Sequence, residues 1–340
     1  MKEVTDFFDR YLDSTGTLTE LPQSGSARKN YIAEGNGNRY ILTTNEDVRE
    51  NESFLYFSKV FESLQLNTPK ILEISSDRKM YLQEYLGEQT LFEYLLADPN
   101  APDIKPIVQS VLEDLYQLQM RTQNGIDYSM VFEYETYNEL PILHDLYYFK
   151  FLLVDLLEVS YHKTKLLLEF KQLTHLIENL SPKGLMIRDF QSRNIILDSD
   201  KKPYFIDYQS AMQGPLLYDV VSFLYQAKAP FSAKFRKEML DYYINLFEAS
   251  TDRQALRQAV MPLRFIRSLQ VLGAYGMRGL VQRKAHFLSS LELGIKNAVA
   301  LSTQWKEMRH FPELLSVITA LKEPKTQTKI KSLLQTGINK

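Results

Sequence analysis

Apolar and polar residues along this chain follow two different periods, and the change falls near residue 86. Between residues 17 and 86, short apolar runs are separated by turn residues, so that 17–21, 29–34, 39–44, 70–74 and 80–85 read as strands. Gly35-Asn36-Gly37-Asn38 sits between the second and third of these, and its Asn-Gly step is the signal of a tight hairpin. Phe54, Phe57, Phe61 and Leu64 share one face of a helix that ends before Asn67-Thr68-Pro69. At the start of the chain, Val4, Phe7, Phe8, Tyr11 and Leu12 are spaced i, i+3, i+4, i+7, i+8, the stripe of an amphipathic helix that docks on the body of the protein. After Leu86-Gly87 the pattern is helical to about residue 322. One stretch breaks it: Ile195-Ile196-Leu197 and Tyr204-Phe205-Ile206 are strand-like and flank a polar turn. The expectation is an α+β protein in two lobes, a small β-rich one over 1–86 and a larger helical one over 87–322, with a linker-like tail over 323–340.

Composition narrows the classes. With 340 residues, 44% hydrophobic and 24% charged, the chain can bury a large core and is ordinary for a globular protein. A net charge of −2 gives no basic footprint for nucleic acid or an anionic membrane. There is no cysteine, which excludes disulfides, thiol catalysis and thiolate metal sites. The five histidines are scattered, without metal-ligand spacing. No signal-peptide core is visible, and no run approaches the roughly 20 apolar residues of a membrane span. A cytoplasmic location is expected, with a small-molecule partner.

The chemistry concentrates in Ile187-Arg188-Asp189-Phe190-Gln191-Ser192-Arg193-Asn194 and, across the short hairpin, Ile206-Asp207-Tyr208. An isolated Asp-x-x-x-x-Asn is usually an Asp-rich turn with a capping asparagine. Here a second aspartate follows thirteen residues after the asparagine, and the hairpin brings both to the same end of two adjacent strands. Phosphoryl transfer needs one carboxylate to orient and deprotonate the attacking hydroxyl, and oxygen ligands for the Mg²⁺ on the nucleotide phosphates. Asp189 fits the first role; Asn194 and Asp207 fit the second.

These segments, with Tyr204-Phe205-Ile206-Asp207-Tyr208-Gln209, Gly214-Pro215-Leu216-Leu217-Tyr218-Asp219-Val220-Val221-Ser222 and 269–279, resemble the aminoglycoside phosphotransferase-like kinases, a superfamily shared with choline kinases. Within it the likeness is greatest to the cell-wall sugar kinases. It spans roughly residues 15–310. It implies a bilobal, protein-kinase-like fold, ATP and Mg²⁺ as cofactors, and phosphorylation of N-acetylmuramate or N-acetylglucosamine at the anomeric hydroxyl. It further implies that the loop Ser24-Gly25-Ser26 covers the phosphates, that Glu84 and Leu86 offer main-chain groups to adenine, and that Asp145, Arg188, Arg193, Tyr275 and Arg278 face the acceptor. Two positions depart from the pattern. Ile187 stands where relatives have a histidine, and Thr43 stands where kinases carry the phosphate-clamping strand lysine. Arg28 or Lys29 could supply that charge, or be solvated loop residues. Asp219 reads as a helix N-cap that braces the site, and Trp305 as packing. Two other functions stay open: an aminoglycoside or choline-like kinase, and a non-catalytic regulatory relative.

Overall fold

The computed structural model describes residues 1–22, 27–226 and 229–335. They form two compact units, each assembled from separate stretches of chain.

The first unit comprises the described residues of Met1–Thr136, Gly184–Gln213 and Ser232–Leu246. Helix α1 (Lys2–Leu12) does dock: Val4, Phe7, Phe8 and Leu12 are buried with Tyr31, Ala33, Leu42 and Leu82. The sheet beneath it comprises β1 (Thr17–Glu20), β2 (Lys29–Gly35), β3 (Asn38–Thr44), β4 (Ile71–Ile74) and β5 (Met80–Glu84), in the order β1-β2-β3-β5-β4. Every neighbouring pair is antiparallel. The β2–β3 register, Lys29 opposite Thr44 through Gly35 opposite Asn38, is set by its turn, where Asn36 and Gly37 take φ of 52° and 76°. Positive φ at both positions matches the turn twist to that of the strands. Helix α2 (Val48–Ser63) starts at Asp47, whose carboxylate accepts from the Arg49 and Glu50 amides at 3.1 and 3.3 Å.

After β5 the chain turns through Gly87 at φ 127°, where an added Cβ would stand 3.3 Å from the Leu197 carbonyl oxygen. The crossing is bonded, the Leu197 amide donating to Gln89 O at 2.9 Å. Helices α3 (Leu91–Ala97) and α4 (Ile104–Arg121) follow. The strands flanking the motif in sequence are β6 (Lys183–Met186), β7 (Ile195–Leu197), β8 (Pro203–Phe205) and β9 (Met212–Pro215). The expected hairpin is the antiparallel pair β7–β8, with Ile195 opposite Phe205 and Leu197 opposite Pro203. It is tied to the turn after α2, since the Phe205 amide donates to Asn67 O at 2.9 Å.

The second unit comprises the described residues of Tyr137–Lys183, Gly214–Phe231 and Phe247–Lys340. It contains α5 (Glu139–Phe149), α6 (Lys163–Glu178) and α7 (Leu217–Leu224), while α8 (Ala233–Asn245) belongs to the first unit. Helix α9 (Ser250–Tyr275), with Leu263, Phe265, Ile266 and Leu269 fully buried, is its central member. Helices α10 (Ala285–Gln304), α11 (Pro312–Ala320) and α12 (Pro324–Gln335) complete it. Both α5 and α9 run on into π-helical turns, Lys150–Asp155 and Gly276–Val281.

Two features differ from the sequence reading. The compact units do not divide at Leu86-Gly87: the five-stranded sheet does end there, but α3, α4 and the β7–β8 hairpin share its unit. The segment after residue 322 is helix α12 where a linker-like tail was expected. Thr326 and Ile330 are buried, and Lys329 pairs with Glu158 at 2.7 Å. Among the described residues no helix is long and apolar enough to cross a membrane.

Candidate active site

The site grows from the loop between β6 and β7. Phe190 anchors it, buried edge-on against Phe205 of β8 with ring centroids 4.9 Å apart. The chain then closes a 3-10 turn over Ser192–Asn194, with the Asn194 amide donating to Gln191 O at 2.8 Å. Asn194 joins the two halves of the motif. Its main-chain oxygen accepts from the Ile206 amide at 3.0 Å. Its Nδ2 donates to the main-chain oxygen of Asp189 at 2.9 Å and to Oδ2 of Asp207 at 3.3 Å. Arg188 and Asp207 hold φ of 71° and 64°, left-handed conformations that cost about 1–2 kcal/mol for a residue with a Cβ. At Asp207 that cost is met by fixing the carboxylate, which accepts from Asn194, from Gln209 Nε2 at 3.2 Å and from the Arg28 guanidinium.

Arg28 is the central cation. Its side chain is only 11% exposed, and it pairs with Asp207 through Nη2 and with Glu50 of α2 through Nε at 3.3 Å. Burial alone would lower its pKa; Asp207 and Glu50 together with the Tyr81 hydroxyl more than offset this and raise it. The guanidinium is therefore a permanent positive charge beside the Asp207 carboxylate. Thr43 is buried in the sheet and donates to Asn30 Oδ1 at 2.8 Å. Lys29, next to Arg28, is exposed.

Tyr208 secures the same segment from below. Its ring stacks on Phe54 of α2 (4.8 Å between centroids, 14° between planes), and Phe54 stacks in turn on Tyr81 of β5 at 5.1 Å. The Tyr208 hydroxyl is 2.7 Å from Ser58 Oγ, and burial drives its pKa upward. Ser53 donates to the main chain of Gln209 at 2.8 Å.

The sequence profile described as the phosphotransferase enzyme family matches residues 17–258, more than two thirds of the chain. The chain belongs to that family. It is 26% identical over 198 residues to the N-acetylmuramate/N-acetylglucosamine kinase of Neisseria meningitidis serogroup B, a match covering 57% of this chain and 55% of that protein. This chain thus aligns with little more than half the length of that relative. Among solved structures, a choline kinase from Streptococcus pneumoniae has the same fold, with a TM-score of 0.61 and 13% identity over 89% of this chain and 100% of that one. So does an aminoglycoside phosphotransferase solved with ADP and hygromycin B, with a TM-score of 0.54 and 15% identity over 99% and 100%.

The remaining family-implied positions fall as follows. Glu84 ends β5 opposite Tyr40, and among the described residues no hydrogen bond engages the main chain of Leu86, which follows the strand. Ser24, Gly25 and Ser26 lie outside the described residues. Arg193 is exposed, whereas Arg188 is buried and faces Glu133 at 3.4 Å. Asp145, Tyr275 and Arg278 belong to the second unit. There the buried Asp145 carboxylate accepts from the Tyr137 hydroxyl at 2.9 Å. Asp219 is not an N-cap, as its sequence position suggested; Leu216 is, and Asp219 lies fully buried within the first turn of α7. A carboxylate there faces the positive end of the helix dipole. Trp305 packs between Phe265 and Phe311, with centroids at 5.0 and 5.9 Å. Sequence reasoning missed Glu50 and the Tyr208 stack. An acidic residue just after the cap of an otherwise aromatic helix was the available signal for Glu50.

Proposed function

We propose that this protein is an ATP- and Mg²⁺-dependent kinase of the cytoplasm that phosphorylates the anomeric hydroxyl of an amino sugar, N-acetylmuramate or N-acetylglucosamine. The observation that carries the reading is Asn194 bonded at once to the Asp189 main chain and the Asp207 carboxylate, with Arg28 on the other side of Asp207. Asp189 accepts the proton of the acceptor hydroxyl. The acceptor's hydroxyl oxygen then bonds to the γ-phosphorus as the bond to the β–γ bridging oxygen breaks, and ADP leaves.

The Asn194 amide nitrogen binds Asp207 Oδ2, and the Asp207 carboxylate together with the Asn194 amide oxygen are hard donors that would suit Mg²⁺, which keeps phosphates and waters in its shell. When bound, the ion neutralises charge on the nucleotide phosphates. Arg28 takes the place of the strand lysine. In protein kinases that lysine pairs with a helix glutamate, and here Glu50 pairs with Arg28. The Glu84 carbonyl and Leu86 amide receive adenine. Asp145, Arg188, Arg193, Tyr275 and Arg278 contribute to the acceptor side.

The sugar follows from chemistry and kinship together. A cationic acceptor calls for a dense set of carboxylates to offset desolvation of its ammonium group. Several acids occur after residue 87, but the sequence shows no dense cluster of them there. The curated relative is named for the two N-acetyl sugars. A panel of amino sugars, aminoglycosides and choline, read by ADP production and product analysis, tests it. Transfer to the two N-acetyl sugars is expected, and turnover of aminoglycosides or choline alone would overturn the proposal. Asp207→Ala should abolish the Mg²⁺-dependent part of ATP binding in a thermal-shift titration.

A further inference from the structure

The main chain turns sharply just before Asp189. The Asp189 amide donates to the Ile187 carbonyl oxygen at 2.9 Å, across Arg188 at φ 71°. A three-residue hydrogen-bonded turn centred on a positive φ is the rarer and more strained kind of γ-turn. Arg188 carries a Cβ, so the conformation is uphill for it and persists only where surrounding contacts oppose relaxation. Relaxation at Arg188 would rotate the next peptide, and with it the direction in which the Asp189 side chain leaves the backbone.

Ile187 and Phe190 are buried on either side of the turn, and Asn194 Nδ2 holds the Asp189 main-chain oxygen at 2.9 Å. None of these acts on Arg188 itself. The Arg188 side chain, 10% exposed, runs to Glu133, with Nη1 3.4 Å from Oε2. Glu133 lies 55 positions away in sequence, and the stretch that carries it is tied down at both ends. The Asp127 amide donates to the Tyr56 hydroxyl of α2 at 2.6 Å. The Gln213 amide of β9 donates to Glu135 O at 2.9 Å, beside a parallel bridge between Thr136 and Gln213. Residues 127–136 are thus a strap fastened to α2 and β9, with Glu133 near its β9 end. Strap, turn and both anchors all lie in the first unit.

We infer that Glu133 is a positioning residue for the reaction: through Arg188 it holds the strained turn that presents Asp189. The inference rests on the reading of Asp189 as the base.

The test has two arms. In kinetics with ATP and each of the two N-acetyl sugars, Glu133→Gln should lower kcat about twofold to fivefold, the worth of a half-exposed ion pair. KM for ATP and the thermal shift given by Mg-ATP should stay at wild-type values, a split that general loss of stability would not produce. Position 188 isolates the backbone effect. Glycine takes positive φ freely and alanine does not, while both lack the guanidinium. Arg188→Gly should therefore turn over roughly fivefold to thirtyfold faster than Arg188→Ala. Adding Glu133→Gln to Arg188→Gly should lower turnover no further. Equal rates in the glycine and alanine variants, or wild-type kcat in Glu133→Gln, would overturn the inference. The second arm needs no acceptor: hydrogen exchange at the Asp189 amide, read by mass spectrometry on overlapping peptides. Exchange should quicken in Glu133→Gln and Arg188→Ala and stay slow in Arg188→Gly; wild-type protection in Glu133→Gln sinks the idea. If Asp189→Asn keeps wild-type turnover, the base assignment falls, and the exchange arm alone decides whether Glu133 holds the turn.

Discussion

Arg28 is the cation that the proposed reading sets in place of the strand lysine. It precedes β2, whose first residue Lys29 pairs with Thr44, so the guanidinium emerges beside the end of β3 where Thr43 is too short and too buried to act. From there it reaches both Glu50 and Asp207. An arginine can hold two acceptors at once through separate N–H groups, which an ammonium does with less defined geometry. Arg28→Met should therefore raise KM for ATP at least tenfold and weaken ATP binding measured without acceptor, with Arg28→Lys only partly restoring both. Unchanged nucleotide affinity in Arg28→Met would remove it from the phosphate side. Asp189→Asn separates chemistry from binding. Turnover should fall on the order of 10²–10⁴-fold, the usual worth of a general base, with the thermal shift given by ATP preserved. Wild-type turnover in that variant would exclude Asp189 as the base.

At the scale of elements, helix α2 and the segment after β8 act as one piece. The Tyr81–Phe54–Tyr208 stack, the Ser58–Tyr208 contact and the Ser53–Gln209 bond all join α2 to residues immediately after Asp207. Tyr208→Ala should leave a cavity among Phe54, Phe61 and Ser58 and destabilise the protein by about 3–5 kcal/mol, the range for large buried aromatics. It should also loosen Asp207, so Mg²⁺-dependent ATP binding weakens more than the loss of stability explains. Urea unfolding with and without Mg-ATP measures both. The paired π-turns are the second such piece. Gly276→Ala would drive a methyl into the Leu152 carbonyl, and a melting temperature lower by several degrees is expected, since backbone cannot yield as a flexible side chain does.

At the scale of the whole molecule, the chain passes back and forth between the two compact units, so neither is a continuous piece of sequence. The sheet unit borrows residues 184–213 from far along the chain, and with them the β7–β8 hairpin and Tyr208. A fragment of residues 1–136 alone would leave Phe54 and Phe61 without the Tyr208 ring and Asn67 O without the Phe205 amide. Such a fragment should bind a hydrophobic dye and melt without a cooperative transition, while the full chain melts cooperatively; a sharply melting fragment would show that the borrowed hairpin is dispensable.

Local structure was legible in the sequence wherever one short stretch decides it. The strand and hairpin pattern before residue 86 followed from alternation and the Asn-Gly turn, and the α1 stripe from its spacing. The Asp189, Asn194 and Asp207 grouping followed because a two-stranded hairpin has few ways to fold. Contacts between distant stretches were not legible. Arg28 and Asp207 are 179 positions apart, and Ser58 and Tyr208 are 150 apart. Neither spacing carries a period that an apolar pattern could reveal. Asp219 looked like a cap because helix starts are inferred from single polar residues, and the backbone began the helix two residues earlier. The tail looked like a linker because its buried residues, Thr326 and Ile330, are few. Which cation faces Asp207 depended on how separate elements pack, and only the tertiary structure decided it.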